Sequence, residues 1–233
     1  MDVVILAAGL GSRLKDLTRD KPKAMVEVAG RPLIDYALDF IGGENVNRIF
    51  VIGGYNFPVL KKHLDSRKDV YLIDNKDYRA GSVLTLEKAI PFLKDSFLLM
   101  NVDHIYPPEM FEKIAQNTDP DSIVAMVDSD RELGDDDMKV RLNEEGNIER
   151  ISKQLDEFDV GYIGMTFVGK NRAGQYKNGL EKVRVETRGR ANVEAILDFL
   201  CNLIPVKVLD LSGFGWHEVD TPEERAKAEK ALG

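Results

Sequence analysis

The amino-acid sequence predicts an α/β fold, three layers thick, on a mixed and mostly parallel central sheet. Three observations point there. Short apolar runs alternate with helical patterns through the first half. The runs are continuously apolar rather than alternating, so both sheet faces are covered. The chain of 233 residues is long enough to bury a sizeable core. Val3–Ala7 reads as the first strand. Arg48–Ile52, closed by Gly53-Gly54, is the second, and Val70–Ile73, Phe97–Val102 and Ile123–Val127 follow. Helical patterns fall between them, at about 32–41, 58–65, 82–90 and 108–117, the rhythm of parallel strands joined by crossovers. The second half is mixed. Val140–Leu142 and Ile148–Ile151 flank Asn143–Asn147 and predict a hairpin; Tyr162–Val168 is a strand, Asn192–Leu203 a helix and Val206–Leu211 a strand. The last helix is signalled most clearly. Thr221 suits the N-cap, Pro222 the first helical position, Glu224 completes a capping box, and Gly233 ends it.

Composition excludes several classes. A single cysteine, Cys201, rules out an internal disulfide framework and multi-cysteine zinc sites; it reads as a small buried apolar residue. With 32 basic against 40 acidic residues the net charge is −8, which disfavours nucleic acid as a partner. The start lacks a signal-peptide pattern and no apolar run has the length of a membrane span, so a cytoplasmic protein without membrane insertion is expected. No histidine pair has metal-ligand spacing. His63 sits on an amphipathic helix surface with no expected role, whereas His104 and His217 each neighbour a carboxylate of interest.

The most informative stretch follows the first strand: Leu6-Ala7-Ala8-Gly9-Leu10-Gly11-Ser12-Arg13-Leu14, then Lys21-Pro22-Lys23. Gly9 and Gly11 let the backbone turn tightly and aim N–H groups at an anion. Arg13 can fork across phosphate oxygens, and Lys23 adds a point charge. Leu14 stands where the dinucleotide fingerprint needs a third glycine, and the Gly-Lys-Ser/Thr of a P-loop is missing.

These residues, with Leu17-Thr18, Lys21–Val26 and Gly30-Arg31-Pro32-Leu33-Ile34, resemble the opening of the sugar-phosphate nucleotidyltransferases. The resemblance implies a Rossmann-like nucleotidyltransferase fold. It implies one domain over 1–233, with a nucleotide-binding part to about 130 and an acceptor-binding, covering part after it. It implies that the loop from Leu6 through Ser12 wraps a nucleoside triphosphate, Arg13 holds the departing pyrophosphate and Lys23 touches the reacting phosphates. The segment Asn75–Val83 would open a helix contacting base and ribose, with Gly81 and Ser82 permitting close backbone approach.

Nucleotidyl transfer needs charge neutralisation, and Mg²⁺ favours one or two carboxylates plus phosphate oxygens and water. Asp103 ends the fourth strand, where open α/β sheets bind ligands. In Trp216-His217-Glu218-Val219-Asp220-Thr221-Pro222-Glu223, the resemblance implies that Asp220 is the second metal aspartate. Helix-dipole stabilisation is the plainer role for Asp220, but Glu223 and Glu224 already serve it. The run Asp135-Asp136-Asp137 reads as a solvated loop.

Asp103-His104-Ile105-Tyr106, Lys139-Val140 and Lys153–Asp159 are most similar to CTP:inositol-1-phosphate cytidylyltransferases. That implies CTP and a phosphorylated small-molecule acceptor as partners. It also implies a CDP-alcohol product passed to a separate membrane phosphotransferase, in the stand-alone form of the enzyme; a homodimer is left open. Lys139, Lys153 and Arg188 offer basic groups for the acceptor phosphate, and Gly164 is placed with them. A phosphocholine cytidylyltransferase is the alternative, with Trp216, Tyr162 and Phe214 available for a cage around a quaternary ammonium. Arg188-Gly189-Arg190-Ala191-Asn192 departs from the Arg-Gly-Glu-x-Glu pattern of thymidylyltransferases, against a hexose 1-phosphate. A nucleotide-sugar glycosyltransferase and a regulatory nucleotide-binding subunit are the more distant rivals.

Overall fold

The computed structural model describes residues 1–42 and 45–233. In chain order these form β1 (Asp2–Ala7), β2 (Glu27–Val28), β3 (Arg31–Pro32), α1 (Leu33–Phe40), β4 (Arg48–Gly53), α2 (Phe57–Leu64), β5 (Val70–Asp74), α3 (Ser82–Glu87), β6 (Phe97–Asn101) and β7 (His104–Ile105). There follow α4 (Pro108–Gln116), β8 (Ile123–Asp128), β9 (Lys139–Leu142), β10 (Ile148–Ser152), β11 (Val160–Val168), α5 (Ala173–Glu186), α6 (Glu194–Leu200), β12 (Lys207–Asp210), β13 (His217–Glu218) and α7 (Pro222–Leu232).

The predicted strands form one nine-stranded sheet, ordered β10-β9-β11-β6-β1-β4-β5, with β8 also on β11 and β12 on β8. All of them except β10 and β11 point the same way. The sheet therefore runs unbroken across residue 130, joining the two expected parts through β6 and β11.

Strand periodicity explains the three layers. Val4 and Leu6 of β1 face one side with Phe50, Ile52 and Leu99, under α3, α5 and α6. Val3, Ile5 and Ala7 face the other with Val51, Leu98 and Met100, under α1, α2 and α4. A smaller cluster of Leu14, Val26, Leu33, Ile105, Val219 and Ala228 fastens α7 to the sheet's end. No helix among the described residues is long and apolar enough to cross a membrane.

Three local expectations are corrected. The third helix stops at Glu87 and gives way to a 3₁₀ turn at Ile90–Phe92, because Pro91 cannot continue an α-helix. The helix expected over 192–203 covers only Glu194–Leu200. The longest helix, α5, is missing from the sequence reading altogether. Its buried Tyr176, Leu180 and Val183 keep helical spacing, but Gly174, Gly179 and interspersed charges dilute the pattern.

Candidate active site

β1 and β6 are paired in parallel, Leu6 beside Asn101, so their carboxyl ends open together. Beyond them lies a cleft of about 400 Å³. Its floor begins with the glycine loop. Gly11 takes φ +65°, its carbonyl accepts from the Thr18 hydroxyl at 2.9 Å, and a Cβ there would stand 2.8 Å from Thr18 and 3.1 Å from the Lys23 stem. Glycine at 11 thus lets Lys23 pass close beneath the loop. A Cβ at Gly9 would meet nothing within 4 Å, which leaves the turn open to the cleft.

The charged centre is assembled from distant segments. The Lys23 ammonium, only 6% exposed as a residue, donates to Asp103 Oδ2 at 2.6 Å and to Asp220 Oδ1. Arg13 donates to the other Asp220 oxygen and, at 2.8 Å, to Asp136. Burial alone would raise the Asp103 pKa. Lys23 and His104 outweigh it and hold the carboxyl below the usual carboxylate range. His104 Nδ1 lies 2.7 Å from Asp103 Oδ1. Burial works against a charged His104, but Asp103 outweighs it and raises its pKa. The imidazole stacks on Trp216 with centroids 5.2 Å apart and on Tyr106 at 5.6 Å.

Asp220 owes its freedom to the helix after it. Thr221 accepts from the Glu224 N–H at 3.2 Å, while Glu224 Oε2 accepts from the N–H groups of Asp220 and Thr221 at 2.8 and 2.9 Å. The capping box is the one predicted. With those amides satisfied, the Asp220 side chain is left to face Lys23 and Arg13.

Leu6, Ala8, Gly9, Gly11, Ser12, Arg13, Lys23, Ser82, Asp103, Lys153, Gly164 and Asp220 all line the cleft. Four expected residues do not. Ala7 points to the opposite sheet face, because it is out of phase with Leu6 along β1. Gly81 is pressed against the Arg188–Asn192 segment: its N–H donates to Gly189 at 2.8 Å, and a Cβ would lie 1.9 Å from the Ala191 carbonyl oxygen. The close backbone approach there is made by the protein itself. Lys139 sits over Phe158, 5.3 Å from the ring centroid. Arg188 serves the turn after α5, in the left-handed region at φ +55°. Ser82 is the first residue of α3, and its hydroxyl accepts from the Val193 N–H at 2.9 Å.

Other expectations divide similarly. Asp136 is exposed as predicted yet pairs with Arg13, and both Asp136 and Asp137 border the cleft. His63 pairs with Asp35 at 2.7 Å. His217 lines a second, apolar cavity of about 410 Å³ instead of the cleft. Burial, then Arg131, lowers its pKa. Cys201 is half-buried, donates to the Asp198 and Glu149 carbonyls at 3.2 Å, and has its pKa pushed up by burial to about 11, an unreactive thiol. Trp216, Tyr162 and Phe214 do not converge: Tyr162 lines the cleft, Phe214 the second cavity, and Trp216 is engaged by His104 and by Arg131, 4.2 Å from its centroid. The sequence reading missed Asn101, Glu194 and Glu218, which also line the cleft. Asn101 and Glu218 flank the two aspartates in sequence and were legible on that ground; Glu194 carried no local signal.

Known proteins resemble this chain in sequence and in fold. The family described as MobA-like NTP transferase domain matches residues 3–200. A CTP:phosphoglutamine cytidylyltransferase of Campylobacter jejuni is 34% identical over 122 residues, 49% of this chain and 48% of that protein. A bifunctional IPC transferase and DIPP synthase of Rubrobacter xylanophilus is 29% identical over 98% of this chain and 51% of its own length. The chain thus spans about half the length of these curated relatives. The inositol-1-phosphate CTP transferase of T. maritima superposes with a TM-score of 0.81 at 20% identity, covering 100% of this chain and 97% of that one. With the family match running from β1 through α6 and taking in the loop, Lys23 and Asp103, the chain belongs to the MobA-like NTP transferase domain family.

Proposed function

We propose that this chain transfers CMP from CTP to inositol 1-phosphate, giving CDP-inositol and pyrophosphate, with Mg²⁺. The observation that carries the reading is the convergence of Asp103 and Asp220 on one cation, Lys23, beside an anion-receiving glycine loop. Two carboxylates meeting on a single positive charge are the donor set Mg²⁺ accepts, with phosphate oxygens and water completing its shell. Among the described residues no group of three His, Cys, Asp or Glu side chains is arranged to hold a metal ion, so phosphate oxygens of the substrate would share in binding it. Asp103 and Asp220 would hold it, and when bound it supplies charge neutralisation as a Lewis acid.

The residues of this chain account for the rest. Loop N–H groups around Gly9 and Gly11 receive phosphate oxygens. Arg13, partly exposed at the cleft edge, holds the leaving pyrophosphate. Lys23 stabilises the charge that develops as the acceptor oxygen attacks the α-phosphorus in line. An acceptor phosphate is already ionised near neutrality, so a general base is not needed, and His104 Nδ1 is engaged by Asp103. The preference for CTP is supported by the resemblance at Asp103–Tyr106 and by the similarity to the CTP:phosphoglutamine cytidylyltransferase of Campylobacter jejuni. The test is pyrophosphate release from CTP, UTP, ATP and dTTP against inositol 1-phosphate, phosphocholine and glucose 1-phosphate. CTP with inositol 1-phosphate should turn over fastest. Equal turnover of dTTP with glucose 1-phosphate sinks the cytidylyl reading.

A further inference from the structure

Besides its phosphate-directed residues, the cleft is lined by Tyr162 and Gly164 of β11, Lys153 just after β10, and Asn192 and Glu194 where the chain enters α6. Glu194 stands apart among them. It is only 9% exposed, and the one hydrogen bond to its carboxylate comes from its own backbone N–H, with none from any other described residue. A carboxylate has about four acceptor sites, so one local donor leaves most of them unfilled, and burying them unfilled carries a desolvation cost. Its helix has seven residues, so interaction with so short a helix's dipole is a weak reason to bury a carboxylate. Burial pushes its pKa up even though the charge of Lys153 opposes the rise. The neighbouring phenol of Tyr162 is already paired with Thr166 at 2.9 Å.

A carboxylate in this setting needs hydrogen-bond donors, and the cleft is where they can come from. A quaternary ammonium has no N–H or O–H group to offer; it is held by aromatic faces or by negative charge, and burial works against the charge of Glu194. Trp216 is covered by His104 and Arg131 and Phe214 lines the other cavity, so of these three rings Tyr162 alone lines the cleft, one face rather than a cage. A polyol offers hydroxyl donors to Glu194, and its oxygens can accept from Lys153 and Asn192.

We propose that Glu194 recognises hydroxyl groups of the acceptor, so that the chain selects a polyol phosphate over a phosphorylated quaternary amine. Lys153 and Asn192 donate to the same ligand. This rests on the transfer reaction proposed above. The test compares wild type, Glu194→Gln and Glu194→Ala in pyrophosphate release from CTP. The acceptors are inositol 1-phosphate, deoxy analogues each lacking one hydroxyl, and phosphocholine.

In Glu194→Ala the KM for inositol 1-phosphate should rise roughly tenfold or more, the scale of losing a hydrogen bond to a charged group, with the KM for CTP unmoved. Glu194→Gln, which keeps one acceptor oxygen, should fall between. Wild type should discriminate against one deoxy analogue, and Glu194→Ala should lose that discrimination. An unchanged acceptor KM in both variants, or wild-type preference for phosphocholine, overturns the assignment of Glu194 while leaving nucleotidyl transfer standing. Wild type that releases no pyrophosphate from CTP with any polyol phosphate overturns the reaction itself, and the role of Glu194 with it.

Discussion

The two ends of the cleft are built on opposite principles. At the phosphate end every charge has an answer: Lys23 between Asp103 and Asp220, Arg13 on Asp220 and Asp136, His104 on Asp103. At the acceptor end the buried Glu194 carboxylate has only its own backbone N–H as a donor. The paired end keeps its geometry before substrate arrives, as electrostatic preorganisation requires. The unpaired end is complete only when a ligand supplies donors. Rigidity suits the chemistry common to all nucleotidyl transfer, and an unsatisfied group suits the choice of what receives the nucleotide.

The contrast is broken most severely at Lys23. Lys23→Ala leaves Asp103 and Asp220 facing each other without a shared cation, and kcat for pyrophosphate release should fall by a hundredfold or more, on the order of losing a charge-stabilising donor. Arg13→Ala, at the more exposed edge, should cost about a hundredfold. Near-wild-type rates for either would mean that the triphosphate does not occupy the loop.

Gly81→Ala separates architecture from ligand contact. A methyl group 1.9 Å from the Ala191 carbonyl oxygen forces α3 and the 188–192 segment apart, and should cost about 1–3 kcal/mol of unfolding free energy in urea titration. A protein of wild-type stability with a raised KM for CTP would restore Gly81 to the nucleotide site.

A smaller effect sharpens the comparison at Glu194. Burial puts its pKa in the folded state above the unfolded value, so the native state keeps the proton longer. Stability then falls as pH rises from the unfolded pKa to the folded one and stays reduced above it. Glu194→Gln should be more stable than wild type at neutral pH and equal to it in acid, read as melting temperature across pH. A variant that gains stability while losing acceptor affinity has traded one for the other, as residues retained for function do. Lys139→Ala and Arg188→Ala, outside the cleft, should leave kcat and both KM values in place; a raised acceptor KM in either would extend the acceptor site to that residue.

The same division governs what could be read from the sequence. The phosphate end could be addressed because its parts are local, a glycine turn after an apolar strand and a strand-ending Asp103, while Asp220 was singled out by the family resemblance of Trp216–Glu223. The sheet was legible because buried parallel strands are continuously apolar. Glu194 was not, since a single glutamate within Asn192–Leu203 carries no mark of the β11 wall it joins. Gly81 misled for a related reason: a glycine that admits a ligand and one that admits Ala191 look alike until the fold brings 81 and 191 together. α5 escaped because two glycines and a charged face weaken a stripe that only α6 and the sheet complete, with Gly179 letting Leu200 in close.

The ribbon of β7 and β13 has a consequence for how the cleft can be tuned. His104 pairs with Glu218 and Ile105 with His217, and the side chains alternate: the first pair lines the cleft, the second the apolar cavity behind it. One peptide unit thus separates a polar compartment from an apolar one. Changing the bulk of Ile105 or His217 presses on His104 and Glu218 through the backbone they share, without touching any residue that meets a substrate. The reactive surface can be adjusted from its rear, by residues that a survey of ligand contacts would pass over.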